Sequence, residues 1–139
     1  MGFSCFLSDF PLIMETKILI IEDDKFLRDL ISQKLVREGF LTIEAVNGEE
    51  GLEKAKSEHP NLILLDLILP GMDGFLVLRT LKKDLGALMP PVIVLSNLGQ
   101  KEDMQRALEE GAEEFMIKAH FTPGEIIAKI KSVLKKRYF

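Results

Sequence analysis

Two hydrophobic periods alternate along the chain. Lys17–Ile21 (KILII) is a short continuous apolar run rich in β-branched residues, the pattern of a strand buried on both faces. Over Asp24–Glu38, the residues Phe26, Leu27, Leu30, Ile31, Leu35 and Val36 recur at helical spacing. This predicts an amphipathic helix with all of them on its inner stripe, and Gly39 follows where a helix commonly ends. Phe40–Val46 reads as a strand, Asn47-Gly48 as a turn, and Glu49–Ser57 as a short helix carrying Leu52 and Ala55 inward. Asn61–Leu65 (NLILL) is a third strand. Gly74–Lys83 is a helix with Phe75, Leu78 and Leu81 on its inner stripe. Pro90-Pro91 breaks the chain before a fourth strand, Val92–Leu95 (VIVL). Lys101–Glu110 is a polar helix closed by Gly111, and Glu114–Ile117 is a fifth strand. Pro123 opens a last helix, where its missing N–H costs little; that helix runs to about Arg137 with Ile126, Ile127, Ile130, Val133 and Leu134 inward.

Strands alternating with helices in this way predict an α/β fold: a single domain built on a doubly wound, five-stranded parallel sheet with five helices. Right-handed crossovers put helices on both faces. Ligands in such folds bind outside the carboxyl ends of the strands, where the strand order reverses. The residues just past each strand therefore carry the chemistry. The first strand is followed by Glu22, Asp23 and Asp24, the third by Asp66, the fourth by Ser96 and Asn97, and the fifth by Lys118. Only the second offers no polar side chain.

Carboxylates clustered on one rim repel one another, and at least one has its pKa raised unless a cation intervenes. Oxygen ligands of this kind suit a hard divalent ion, Mg2+ above all. With Lys118 and the Ser96 hydroxyl nearby, the rim has what phosphoryl chemistry needs: positive charge for the phosphoryl oxygens, a donor, and a carboxylate able to attack phosphorus. Asp66, on a buried strand, is the best nucleophile candidate, since an aspartyl phosphate is an established type of covalent intermediate. Asp24 and Asp73 are read instead as helix N-caps. Each group alone has a bland structural explanation; their joint arrival at four strand ends does not.

Composition narrows this further. The chain has 139 residues, 18 basic against 22 acidic, for a net charge of −4. No basic excess is available to hold nucleic acid by bulk charge. The single cysteine, Cys5, leaves no disulfide framework. Two histidines, His59 and His120, are too few for a multi-histidine metal site and are read as surface residues. Residues 1–13 (MGFSCFLSDFPLI) are apolar without a basic leader region and too short to span a bilayer. Phe6 stands where a myristoylation motif needs Ser or Thr. This segment is expected to be an upstream extension, loosely docked or disordered, with the natural start at Met14 and the folded domain at 14–139. No membrane association is expected.

The sequence resembles the response regulator receiver domain, the CheY-like family of two-component signalling. The motifs that carry the resemblance are IIEDD, LLDLILPGMDG, VIVLSN and FMIK, in that order and at the family's spacings over residues 16–137. The resemblance implies a Mg2+ site in which Asp23 ligates directly, Glu22 acts mainly through water, and Asp66 and the backbone carbonyl of Ile68 complete the set. It implies Asp66 as phosphoacceptor, Lys118 as the phosphate-pairing lysine, and Ser96 and Phe115 as the switch pair. Phosphorylation would draw Ser96 toward the phosphoryl group. Phe115 would then turn inward, reshaping the face of the fourth helix, fifth strand and fifth helix. Such a device is a two-state element biased by a local charge event.

Departures from the family pattern carry their own expectations. Ala119 stands where a cis proline is usual; a cis non-proline bond costs about 2.5–4 kcal/mol, so Lys118–Ala119 is expected to be trans. Phe115 lacks the hydroxyl of the commoner tyrosine, and Asn97 replaces a small residue. Ile68 is apolar where a polar side chain helps orient the hydrolytic water, which implies slow self-dephosphorylation.

Rival readings fare worse on the residues. A haloacid-dehalogenase-like phosphatase needs a second Asp where Ile68 stands, and a nucleotide or flavin binder needs a glycine-rich loop where IEDD stands. A pseudo-receiver acting only as a phosphorylation-independent interaction module is the alternative that Ala119 keeps in view. The expectation is thus a stand-alone, cytoplasmic signalling receiver, not a metabolic enzyme. It would take its phosphoryl group from a sensor histidine kinase or histidine phosphotransfer protein and act on an output partner that the sequence leaves unknown. A homodimer through the fourth helix and fifth strand is an option by resemblance only.

Overall fold

The apolar runs Ile18–Ile21, Leu62–Leu65 and Val92–Leu95 are almost wholly inaccessible to solvent and form the middle of one parallel sheet. The computed structural model describes residues 15–138; the 1–13 extension lies outside the described residues. The strands are β1 (Lys17–Ile21), β2 (Leu41–Ala45), β3 (Leu62–Leu65), β4 (Val92–Ser96) and β5 (Glu114–Ile117), in the order β2-β1-β3-β4-β5. Neighbours are parallel throughout, with Ile21 level with Ala45 and Leu65, and Ser96 level with Ile117. The helices are α1 (Lys25–Arg37), α2 (Gly48–Ser57), α3 (Gly74–Leu85), α4 (Lys101–Glu109) and α5 (Pro123–Tyr138), with short 3-10 turns at Gly86–Leu88 and Lys118–His120. The doubly wound architecture anticipated from the alternating periods is present.

Because successive strand residues point to opposite faces, the sheet sorts its side chains into two cores. Leu19, Ile21, Ile63, Leu65, Val92 and Val94 meet Leu52, Phe75, Leu78, Leu81 and Ala107 from α2, α3 and α4. Ile18, Ile20, Leu62, Leu64, Ile93 and Leu95 meet Ile31, Leu35, Ile127, Ile130 and Leu134 from α1 and α5. The strand order reverses between β1 and β3, so the chain leaves β1 toward one layer and β3 toward the other. The crevice this opens at the carboxyl ends is where the site lies.

Several local expectations shift. Phe26 is 78% and Val36 56% exposed, so neither belongs to the inner stripe of α1. At about 100° per residue they fall roughly 140° to either side of Ile31, and the stripe read from the sequence was too wide. The true inner face is Ile31 and Leu35 with Arg28, which is buried. Asn47-Gly48 is not a free turn: the Asn47 side chain accepts from the Glu50 amide at 2.8 Å, making it the N-cap of α2, and Gly48 is that helix's first residue. α3 continues to Leu85, past Lys83, and stops where Gly86 takes φ +54°. Asp24 and Asp73 are the N-caps expected of them, accepting from Leu27 N and Leu76 N.

Candidate functional site

The sheet's hydrogen-bond ladder runs one residue past the strands and sets the first two groups. Glu22 N donates to Ala45 O at 3.0 Å, and Asp66 N donates to Ile21 O at 3.0 Å. Both residues are buried, 4% and 5% exposed. Lys118, arriving from the end of β5, lies between them: its Nζ is 2.6 Å from Glu22 Oε1 and 2.8 Å from Asp66 Oδ2. Backbone amides take the remaining oxygens. Asp24 N donates to Glu22 Oε2 at 3.1 Å, and Ile68 N donates to Asp66 Oδ1 at 3.1 Å. Each of the four buried carboxylate oxygens thus has a donor, as burial requires. The Asp23 carboxylate is exposed, yet Glu22, Asp23 and Asp66 each bring an oxygen within 4.8 Å of the others, a grouping that could hold a metal ion.

One ammonium cannot neutralise two buried carboxylates. Burial pushes the Glu22 carboxyl from 4.5 up to about 7; the Asp66 charge adds to the rise, while the Lys118 and Asp24 hydrogen bonds oppose it. For Lys118, burial pulls the other way, but its bonds to Asp66 and Glu22 prevail and hold the ammonium above its usual range. The hard-oxygen donor set with surplus negative charge fits Mg2+.

Glu22 makes the stability of the metal-free protein depend on pH. Its folded-state pKa lies above its unfolded value, so the folded chain keeps a proton that the unfolded chain releases between pH 4.5 and about 7. Stability from this group is therefore full below pH 4.5, falls as pH rises through that window and levels off above it. Glu22→Gln is expected to stabilise the metal-free protein at pH 8 by about 1–3 kcal/mol and to change little at pH 4.5. Urea unfolding at the two pH values checks this.

The other expected site residues hold different positions. Ser96 ends β4 fully buried, and its Oγ accepts from Leu98 N at 3.3 Å; no hydrogen bond joins it to Asp66 or Lys118. Phe115 is half-buried, level with Val94, and packs against the α2–α4 core. Ile68 contributes its amide, while its side chain is 55% exposed. Among the described residues no peptide bond is cis, so Lys118–Ala119 is trans as expected, inside a 3-10 turn.

Two contributors escaped the sequence reading. Gly74 N donates to Leu67 O at 2.8 Å, and a Cβ on Gly74 would sit 2.5 Å from Leu67 Cα and 2.6 Å from Asp66 O. The loop after Asp66 is thus seated directly on this glycine. Arg28, buried on α1, donates from Nη1 to Glu22 O at 2.8 Å. A charged residue in line with Ile31 and Leu35 was the signal for it.

A sheet of this order, with acids after β1 and β3 meeting a lysine after β5, defines the class. The response regulator receiver domain family matches residues 18–131, and the chain belongs to it. Receiver domains are signalling modules of two-component systems. The chain is 37% identical over 123 residues to the alkaline phosphatase synthesis transcriptional regulatory protein PhoP of Bacillus subtilis, covering 88% of this chain and 50% of that protein. It is 38% identical over 124 residues to the probable transcriptional regulator ycf27 of Porphyridium aerugineum, covering 89% and 50%. The chain spans about half the length of the curated relatives it matches. Among solved structures it superimposes on a CheY-like receiver domain protein from Methanospirillum hungatei with a TM-score of 0.81 at 30% identity, covering 88% of this chain and 95% of that one. The Francisella response regulator 1452 receiver domain gives 0.81 at 28%, covering 88% and 99%. Among the described residues no helix is long and apolar enough to cross a membrane.

Proposed function

We propose that this receiver accepts a phosphoryl group on Asp66 and relays that event through Ser96 and Phe115 to a partner. The observation that carries the reading is Lys118 Nζ bridging Asp66 Oδ2 and Glu22 Oε1 at 2.8 and 2.6 Å. The bridge holds the acceptor in a buried site with a cation already beside it.

In the reaction, an Asp66 carboxylate oxygen attacks phosphorus of a phosphohistidine on a sensor kinase or phosphotransfer protein. An O–P bond forms, the P–N bond breaks, and the imidazole leaves with the electron pair, taking up a proton. Lys118 balances charge on the phosphoryl oxygens, and Ile68 N orients the Asp66 carboxylate. When bound, Mg2+ would be held by Asp23, Asp66 and the Ile68 carbonyl, with Glu22 acting through water, and would supply positive charge against the phosphoryl oxygens. Ser96, freed from Leu98 N, would turn its hydroxyl toward the new phosphoryl group. Phe115 would then move from half-buried to buried and change the face formed by α4, β5 and α5. The same reading takes the receiver as residues 14–139 and places it in the cytoplasm; the kinase, output partner and any homodimer through α4 and β5 are to be found by experiment.

Incubation with acetyl phosphate and Mg2+ is expected to add one acid-stable, base-labile phosphoryl group, detected by intact mass. The adduct is expected to be absent in Asp66→Ala and with a chelator. An unlabelled wild-type protein would favour the phosphorylation-independent interaction module instead. The lifetime is a second expectation. The exposed, apolar Ile68 side chain offers the attacking water no hydrogen bond, so the phosphoryl half-life should be minutes or longer. Decay followed by mass after removal of donor tests it, and a half-life of seconds contradicts it.

A further inference from the structure

Arg28 is the most buried basic residue among those described, 9% exposed on the inner face of α1, and phosphoryl transfer as proposed gives it no role. Its guanidinium makes two connections. Nη1 donates to Glu22 O at 2.8 Å, and Nε lies 3.2 Å from Glu44 Oε1 on the edge strand β2. That Glu44 oxygen is buried and has no hydrogen-bond partner, so Arg28 is its counter-charge. Glu44 stands level with Ile20 in the β1–β2 register, one residue before the pair Ile21 and Ala45. The arginine therefore clamps the end of β1 to β2 from the α1 side.

The atom it holds matters more than the clamp. Glu22 O and Asp23 N belong to one planar peptide unit. A donor fixed on Glu22 O fixes the plane from which Asp23 departs. On the other side of Asp23, the next amide, Asp24 N, is held by Glu22 Oε2 at 3.1 Å. The Asp23 carboxylate itself is exposed and has no hydrogen bond or ion pair among the described residues, so its placement within 4.8 Å of Glu22 and Asp66 comes from its backbone. We infer that Arg28 is a positioning residue for the Mg2+ ligand Asp23, acting through the Glu22–Asp23 peptide plane and anchored by Glu44. The inference rests on the proposed metal-dependent reading of the site. Groups that orient metal ligands from behind commonly change affinity by about 10–100-fold when removed.

The test is the Mg2+ dissociation constant of the full chain, measured by calorimetry, with the Asp23 amide followed by NMR. Arg28→Met keeps the bulk and removes the donors. It is expected to weaken Mg2+ at least about 10-fold and to move the Asp23 amide resonance in the metal-free protein. Arg28→Gln serves the same test if the methionine variant does not fold. Leu35→Ala, on the same helix face but away from the site, should lower the unfolding midpoint yet leave the Mg2+ constant and the Asp23 resonance unchanged, separating positioning from loss of stability. Wild-type affinity in the folded Arg28 variants overturns the inference while leaving the proposed function intact. Failure of the wild-type protein to bind Mg2+ overturns both.

Discussion

Gly74→Ala is expected to destabilise the protein by about 3–5 kcal/mol, the range of severe buried substitutions, and to abolish acetyl phosphate labelling in whatever fraction stays folded. The added methyl carbon would meet Leu67 Cα at 2.5 Å and Asp66 O at 2.6 Å, both backbone atoms. A flexible side-chain tip could swing aside; here the loop that carries Asp66 must lift, or α3 must retreat and break the 2.8 Å bond from Gly74 N to Leu67 O. The first movement spoils the site and the second opens the α3 side of the core. Gly86 is the control. It takes φ +54° and ψ −122°, a backbone conformation that favours glycine, but a Cβ there would have nothing within 4 Å, so Gly86→Ala should cost about 1–3 kcal/mol from backbone strain alone, less than Gly74→Ala. Urea unfolding of both variants tests the contrast, and equal losses would refute the steric account.

Lys118→Met is the second large effect. It leaves Glu22 and Asp66 buried side by side with no cation between them. Breaking a buried ion pair from one side costs roughly 3–5 kcal/mol, and at pH 8 the metal-free variant is expected to lose stability in that range. The loss should shrink toward pH 5. There the Glu22 carboxyl, already driven upward by burial, takes up a proton and sheds the repulsion between the two groups. Mg2+ held as proposed would restore part of the stability at pH 8, because a ligand that binds the folded state in preference to the unfolded one stabilises it. Unfolding at both pH values, with and without the metal, reads all of this. A pH-independent loss would mean that Lys118 acts through its aliphatic stem instead of its charge.

Much of this architecture was legible because buried parallel strands announce themselves. KILII, NLILL and VIVL need no context to be read, and once they alternate with helices the rim that carries Glu22, Asp66, Ser96 and Lys118 follows from topology. What stayed hidden depends on distances that hydrophobic periodicity does not encode. Phe26 and Val36 look like core residues and face water, because α1 rests on the sheet through a narrower stripe than its apolar content implies. Arg28 looks like a surface charge and is buried, because the Glu22 carbonyl and Glu44 supply partners from elements distant in sequence. Gly71 and Gly74 read alike in PGMDG, yet one has φ +77° with only the Glu49 carboxylate nearby, and the other has backbone against it. Nor does the sequence tell which of two adjacent acids is buried: Glu22 is, and Asp23 is not.

The alternation of side chains along β5 has a final consequence. Phe115 lies with the layer made by α2, α3 and α4, and its neighbour Met116 lies with α1 and α5. A rearrangement that began at Phe115, as proposed, would act first on the layer of α2, α3 and α4 and reach α5 around the β5 edge of the sheet, with the thickness of the sheet shielding α1. The α1 flank is thus the part of the surface that such a change would disturb least.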